Sequence, residues 1–164
     1  MQKGFTLWLT GLPCSGKTVI GDLVAKELKK RGLRVERLDG DIVRKSLTKD
    51  LGFSKEDRYK NIERVTFVAK LLTRNGVIVI ASFVSPYNEV RERSRREIGN
   101  YVLVYVKCPL EECIKRDSKG MYEKAIAGEI QNFTGISDPF EEPINPEIIV
   151  ETDKESPDEC KDKI

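Results

Sequence analysis

The sequence predicts an α/β fold in three layers, a central parallel sheet covered by helices on both faces. Three observations predict it. Short apolar runs alternate with helix-period stretches along the chain. One run, residues 77–81, is continuously apolar, as an interior parallel strand requires. A glycine-rich turn joins the first run to the first helix. Strands separated by helices need crossover connections, and crossovers pair strands in parallel.

The elements follow in order. Residues 5–9 read as a buried strand and 18–31 as a helix, with Ile20, Leu23, Val24 and Leu28 on one stripe. Gly32 is a helix stop. Residues 34–38 resemble a second strand, ending in Asp39-Gly40-Asp41. Residues 55–74 are helical, with Ile62, Val65, Ala69 and Leu72 facing inward, and Asn75-Gly76 ends them. After the 77–81 strand come a charged helix (87–98), a strand (101–106) and a short helix opened by Pro109 and running to Arg116. A late strand (148–150) and a last helix opened by Ser156-Pro157 complete the pattern. Residues 118–146 break it. They are rich in Gly, Pro and polar residues, and a stretch this long inside a domain is commonly a functional lid. The expected organisation is one domain over 1–164 with a mobile lid at 118–146.

Composition narrows the chemistry. Of 164 residues, 39% are hydrophobic and 34% charged, as in a globular protein. There is no histidine. Ser-His-Asp hydrolysis and His-ligated zinc or haem are therefore excluded within this chain, and acid–base work falls to Asp, Glu, Lys, Cys or Tyr. Lys and Arg total 29 against 27 Asp and Glu, a balance that argues against bulk nucleic-acid binding. Cys14, Cys108, Cys113 and Cys160 form no C-x-x-C pair, so a zinc knuckle is not expected. No apolar run approaches 20 residues, and no signal peptide is apparent, which points to a cytoplasmic protein with no membrane partner.

Gly11, Leu12, Pro13, Cys14, Ser15, Gly16, Lys17 and Thr18 match G-x-x-x-x-G-K-[ST] at every fixed position, after a strand and before a helix. The glycines permit backbone angles that turn amides toward phosphate oxygens. The helix start adds free N–H groups and the positive end of a dipole. Lys17 can reach the β- and γ-phosphates, and the Thr18 hydroxyl can ligate Mg²⁺. A P-loop NTPase fold and ATP- or GTP-dependent chemistry follow.

Asp39 and Asp41 stand at the end of the second strand, where doubly wound sheets bind ligands. One can face Mg²⁺ and the other an acceptor hydroxyl, which makes Asp41 the candidate base. The alternative is that one of them caps a helix beginning near Ile42. Arg44, Arg58 and Asn61 follow, the last two on one helix face, and could form a local anion clamp; taken singly, such arginines are solvated charges. Phe53 and Phe133 lie in loops flanking the expected mouth. They could sandwich a purine or simply plug packing.

At this point the residues resemble the adenylylsulfate kinases (APS kinases). The likeness is carried by Leu38-Asp39-Gly40-Asp41-Ile42-Val43-Arg44, Leu51-Gly52-Phe53-Ser54, Asp57-Arg58 with Asn61-Ile62, and Ser82-Phe83-Val84-Ser85-Pro86-Tyr87. Further along stand Arg116-Asp117-Ser118-Lys119-Gly120-Met121-Tyr122 and Asn132-Phe133-Thr134-Gly135-Ile136. It implies transfer of the γ-phosphate of ATP to the 3′-hydroxyl of adenosine 5′-phosphosulfate, in sulfate assimilation. It also implies roles. Phe53 and Phe133 stack the substrate adenine, while Arg44, Arg58 and Asn61 hold the phosphosulfate. Asp41 stands at the 3′-hydroxyl, Asp39 lies near Mg²⁺, and Lys119 is a lid cation near both nucleotides. Ser85 occupies the family's phosphoserine position, although direct in-line transfer needs no nucleophile there. The resemblance further implies a homodimer, and a possible fusion or association with ATP sulfurylase. Pro13 and Cys14 depart from the small residues usual in the loop, as do Ile42, Ser118 and Met121 from their motifs. The rival readings are another small-molecule P-loop kinase and a non-catalytic nucleotide-sensing domain.

Overall fold

The computed structural model describes residues 1–164. The first apolar run forms β1 (Phe5–Thr10), with five of its six residues buried. It lies mid-sheet. β3 (Ile78–Ser82) pairs with it on one side and β4 (Tyr101–Lys107) on the other, while β2 (Val35–Asp39) and β5 (Ile148–Glu151) form the edges. The order is β2-β3-β1-β4-β5, and every pair is parallel. The run expected to be interior is β3, buried at all five positions. Its register sets Ser82 opposite both Leu9 and Asp39, so β1, β2 and β3 end level with one another.

Alternation along each strand builds two cores. On one face Trp8, Val79, Ala81 and Leu103 meet Ile62, Val65 and Ala69 of α3 (Lys55–Arg74) and Val90 and Ile98 of α4 (Asn88–Ile98). On the other, Leu7, Leu9, Ile80, Val104 and Val106 meet Ile20, Val24 and Ala25 of α1 (Lys17–Lys30) and Cys160 of α7 (Pro157–Lys163). Each large aliphatic side chain so buried contributes roughly 1.5–3 kcal/mol.

Caps fix the helix starts. Ser54 Oγ accepts from the Asp57 amide at 3.1 Å to open α3, and Ser156 with Glu159 forms a capping box on α7. Asp39 caps a short α2 (Gly40–Val43), accepting the Asp41 amide at 3.1 Å. The capping role weighed for the carboxylate pair is thus real and falls on Asp39.

α5 (Leu110–Arg116) leads into the expected lid, which contains a helix not anticipated, α6 (Met121–Ile126). Six residues are too few for a 3.6-residue period to show. A local cap and burial define α6 instead: the Asp117 carboxylate accepts the amides of Tyr122 (2.8 Å) and Glu123 (3.1 Å), and Tyr122 and Ala125 are buried. No helix is long and apolar enough to cross a membrane.

Candidate active site

The phosphate loop leaves β1 and turns into α1. Gly16 takes φ +107°, a left-handed value that glycine adopts without strain. Cys14 takes φ +64°, where a side chain costs on the order of 1–2 kcal/mol. Its side chain packs beneath the lid with Leu12 and Leu110 against Cys108, Cys113 and Tyr122. Lys17 lies over the loop, its Nζ donating to the carbonyls of Leu12 (2.8 Å) and Gly11 (2.9 Å). Burial draws its pKa down to about 8, against the pull of neighbouring thiols and carboxylates.

Next to the loop, the Thr18 hydroxyl donates to Asp39 Oδ2 at 2.7 Å. A hydroxyl and a carboxylate oxygen, adjacent at the start of α1, are hard oxygen donors of the kind Mg²⁺ takes, and Thr18 and Asp39 fit the ion expected of them. Asp41, two residues on, is exposed and ion-paired with Lys119 of the lid, which raises the Lys119 pKa. The candidate base and the lid cation are therefore brought together.

Arg44 donates to the Gly52 carbonyl (3.0 Å) and lies 4.1 Å over the Phe53 ring. Arg58, 5.8 Å from the same ring, donates to the Phe53 carbonyl at 2.9 Å, to Thr134 Oγ1 at 2.7 Å and to the Asn132 carbonyl. Burial lowers the pKa of both guanidiniums. Asn61 is buried, and its Oδ1 has no hydrogen-bond partner. Arg58 thus ties the Phe53 loop to the Phe133 loop, but the two phenyl rings do not touch. Phe53 is 53% exposed, while Phe133 packs edge-on against Tyr122 at 4.9 Å. Ser85 is buried at φ +39°, its Oγ accepting from Trp8 Nε1 at 3.0 Å and lying 3.1 Å from Thr10 Oγ1.

Four contributors were not assigned from sequence. Arg116 donates to Cys14 and Ser15 carbonyls (3.3 and 3.5 Å) and to the Thr152 carbonyl (2.8 Å). Thr152 Oγ1 donates to the Ser15 carbonyl at 2.7 Å. Tyr122 donates to the Pro13 carbonyl at 2.7 Å. Arg37 bonds around Asp39. Arg37 carried a usable signal, since strand residues two apart share a face, and Arg116 and Tyr122 lie in a block that carries the family resemblance.

A phosphate loop, a carboxylate pair at level strand ends and a lid that bonds to both define a small-molecule kinase of the P-loop class. The family model described as adenylylsulphate kinase matches residues 3–151. The chain belongs to the adenylylsulfate kinase family. It is 63% identical over 158 residues to a probable adenylyl-sulfate kinase of Pseudomonas aeruginosa, covering 96% of this chain and 74% of the relative. To the adenylyl-sulfate kinase of Halothermothrix orenii it is 56% identical over 163 residues, covering 99% and 88%. The structure of Mycobacterium tuberculosis APS kinase in complex with AMPPNP and APS superposes with a TM-score of 0.93 at 38% identity, covering 99% of this chain and 96% of that one. A shikimate kinase from Aquifex aeolicus shares the fold alone, at TM-score 0.55 and 16% identity.

Proposed function

We propose that this protein transfers the γ-phosphoryl group of ATP to the 3′-hydroxyl of adenosine 5′-phosphosulfate, giving 3′-phosphoadenosine 5′-phosphosulfate and ADP. The observation that carries the reading is the juxtaposition of a complete phosphate loop with Asp41 and the Arg44–Phe53–Arg58 cluster. ATP lies on residues 11–18, with Lys17 moving from loop carbonyls to the β- and γ-phosphates. Mg²⁺, held through Thr18 and Asp39, supplies positive charge against those phosphates.

Adenylylsulfate lies between the Phe53 and Phe133 loops. Arg44 and Arg58 meet its phosphosulfate, and a polar group of the substrate completes the hydrogen bonding of Asn61. Asp41 exchanges Lys119 for the 3′-hydroxyl and takes or orients its proton. Lys119 then faces the transferring phosphoryl group, while the closed lid excludes water. Attack is direct. Ser85, buried and hydrogen-bonded to Trp8, shapes the loop after β3 instead of accepting phosphate.

The protein works as a homodimer in the cytoplasm, alone or joined to ATP sulfurylase. The test supplies ATP, Mg²⁺ and adenosine 5′-phosphosulfate and looks for the 3′-phosphorylated product, with gluconate and shikimate as control acceptors. Product from adenylylsulfate alone is expected. Transfer only to a control acceptor overturns the substrate, and ATP binding without transfer overturns the enzyme.

A further inference from the structure

Gly21 sits inside α1, where glycine costs about 1 kcal/mol relative to alanine. A Cβ there would stand 2.8 Å from Cζ and Nη2 of Arg37 and 2.9 Å from Ser82 Oγ. Arg37 comes from β2, and its side chain is 14% exposed. Its guanidinium crosses the sheet edge onto α1 through the space Gly21 leaves. Nη1 donates to the Ile80 carbonyl (2.8 Å) and Ser82 Oγ (3.1 Å), and Nε to Asp22 (3.0 Å). Nη2 reaches the Thr18 carbonyl (3.4 Å) and Asp39 Oδ2 (3.5 Å). That Asp39 oxygen is the one that accepts the Thr18 hydroxyl.

We infer that Arg37 is a positioning residue for the Thr18–Asp39 cation pair, and that Gly21 is the space that lets it act. The inference rests on reading those two residues as the Mg²⁺ holders. A plain ion pair with Asp22, 65% exposed, is worth little and needs neither a half-buried fork nor a helix glycine. Here one planar group bonds β3, α1 and Asp39 at once, which fixes the carboxylate where the cation must meet it. Its positive charge also repels that cation. Alignment outweighs repulsion, because the nucleotide phosphates supply most of the negative charge around the ion.

The test measures Mn²⁺ binding to the protein with AMPPNP by electron paramagnetic resonance, alongside thermal unfolding. Arg37→Met should weaken Mn²⁺ binding about tenfold, the low end for residues that orient metal ligands. Gly21→Ala should weaken it similarly by displacing the guanidinium, with the charge retained and no fall in Tm. Adding Arg37→Met to Asp39→Asn should weaken binding no further than Asp39→Asn alone. If Asp39→Asn leaves Mn²⁺ binding unchanged, the metal reading fails and takes the inference with it. If Asp39→Asn weakens binding while Arg37→Met binds as tightly as wild type or more so, the role of Arg37 alone is overturned. Additive losses in the double variant overturn it as well. Normal Mn²⁺ binding by Gly21→Ala overturns the role given to that glycine.

Discussion

At the scale of single residues, the proposed chemistry turns on two side chains whose partners would change when substrates arrive. Lys17 is held by carbonyls and lowered to about 8 by burial. Below pH 8 it is charged with or without nucleotide. Above pH 8 the free protein carries it neutral, while bound phosphates favour the ammonium, so binding takes up a proton. The Kd for ATP should therefore rise as pH climbs above 8, by up to about tenfold per unit where one full proton is exchanged. Calorimetry in buffers of different ionisation enthalpy checks this, and binding without proton uptake at pH 9 contradicts it. Asp41 is paired with Lys119 and, in the proposed reaction, would be released to the acceptor hydroxyl. Asp41→Asn keeps the shape but loses the base. It should spare ATP binding and lower kcat by about 10²-fold or more, the usual scale for a lost general base. A kcat within a few-fold of wild type removes Asp41 from that role.

At the scale of elements, the long ones were legible because their signals repeat. The α3 boundaries match the expectation at both ends, and β1, β2, β3 and β4 differ from it by one residue at an end or in register along the run. α6 was not legible, because what holds it is a carboxylate just ahead of it and a buried tyrosine, not a period. The same holds for the candidate site. Motif residues on α1 and at the end of β2 could be placed from sequence, whereas Arg116, Thr152 and Tyr122 reach the phosphate loop through bonds that each span more than a hundred residues. Tyr122 joins two of these elements: its hydroxyl holds the Pro13 carbonyl and its ring supports Phe133. Tyr122→Phe keeps the ring and removes the bond. It should cost about 1 kcal/mol of lid–loop registration, a roughly fivefold fall in kcat if that registration is made in the transition state. Unchanged kcat would mean that the Arg58 bonds to Asn132 and Thr134 hold the lid without it.

At the scale of the whole molecule, the sheet makes the site a property of the fold. β1 is the middle strand, paired on both sides, and its end carries the phosphate loop, so the loop is anchored at the centre of the sheet. The single tryptophan reports on that strand. Trp8 is fully buried, packs on Phe83 and Tyr101 at 5.5 and 5.9 Å, and donates to Ser85. Its neighbours come from β3, β4 and the loop after β3 and from α3 and α4, which cover the same face, so its exposure requires that core to open. Urea unfolding followed by tryptophan fluorescence should therefore coincide with loss of far-UV circular dichroism, in one cooperative transition. Saturation with ATP at about 100 times Kd should shift both probes together by about 2.7 kcal/mol, since the ligand binds only the folded loop. If the dichroism transition precedes the fluorescence change, helices outside the Trp8 core melt first, and unfolding is not one cooperative transition.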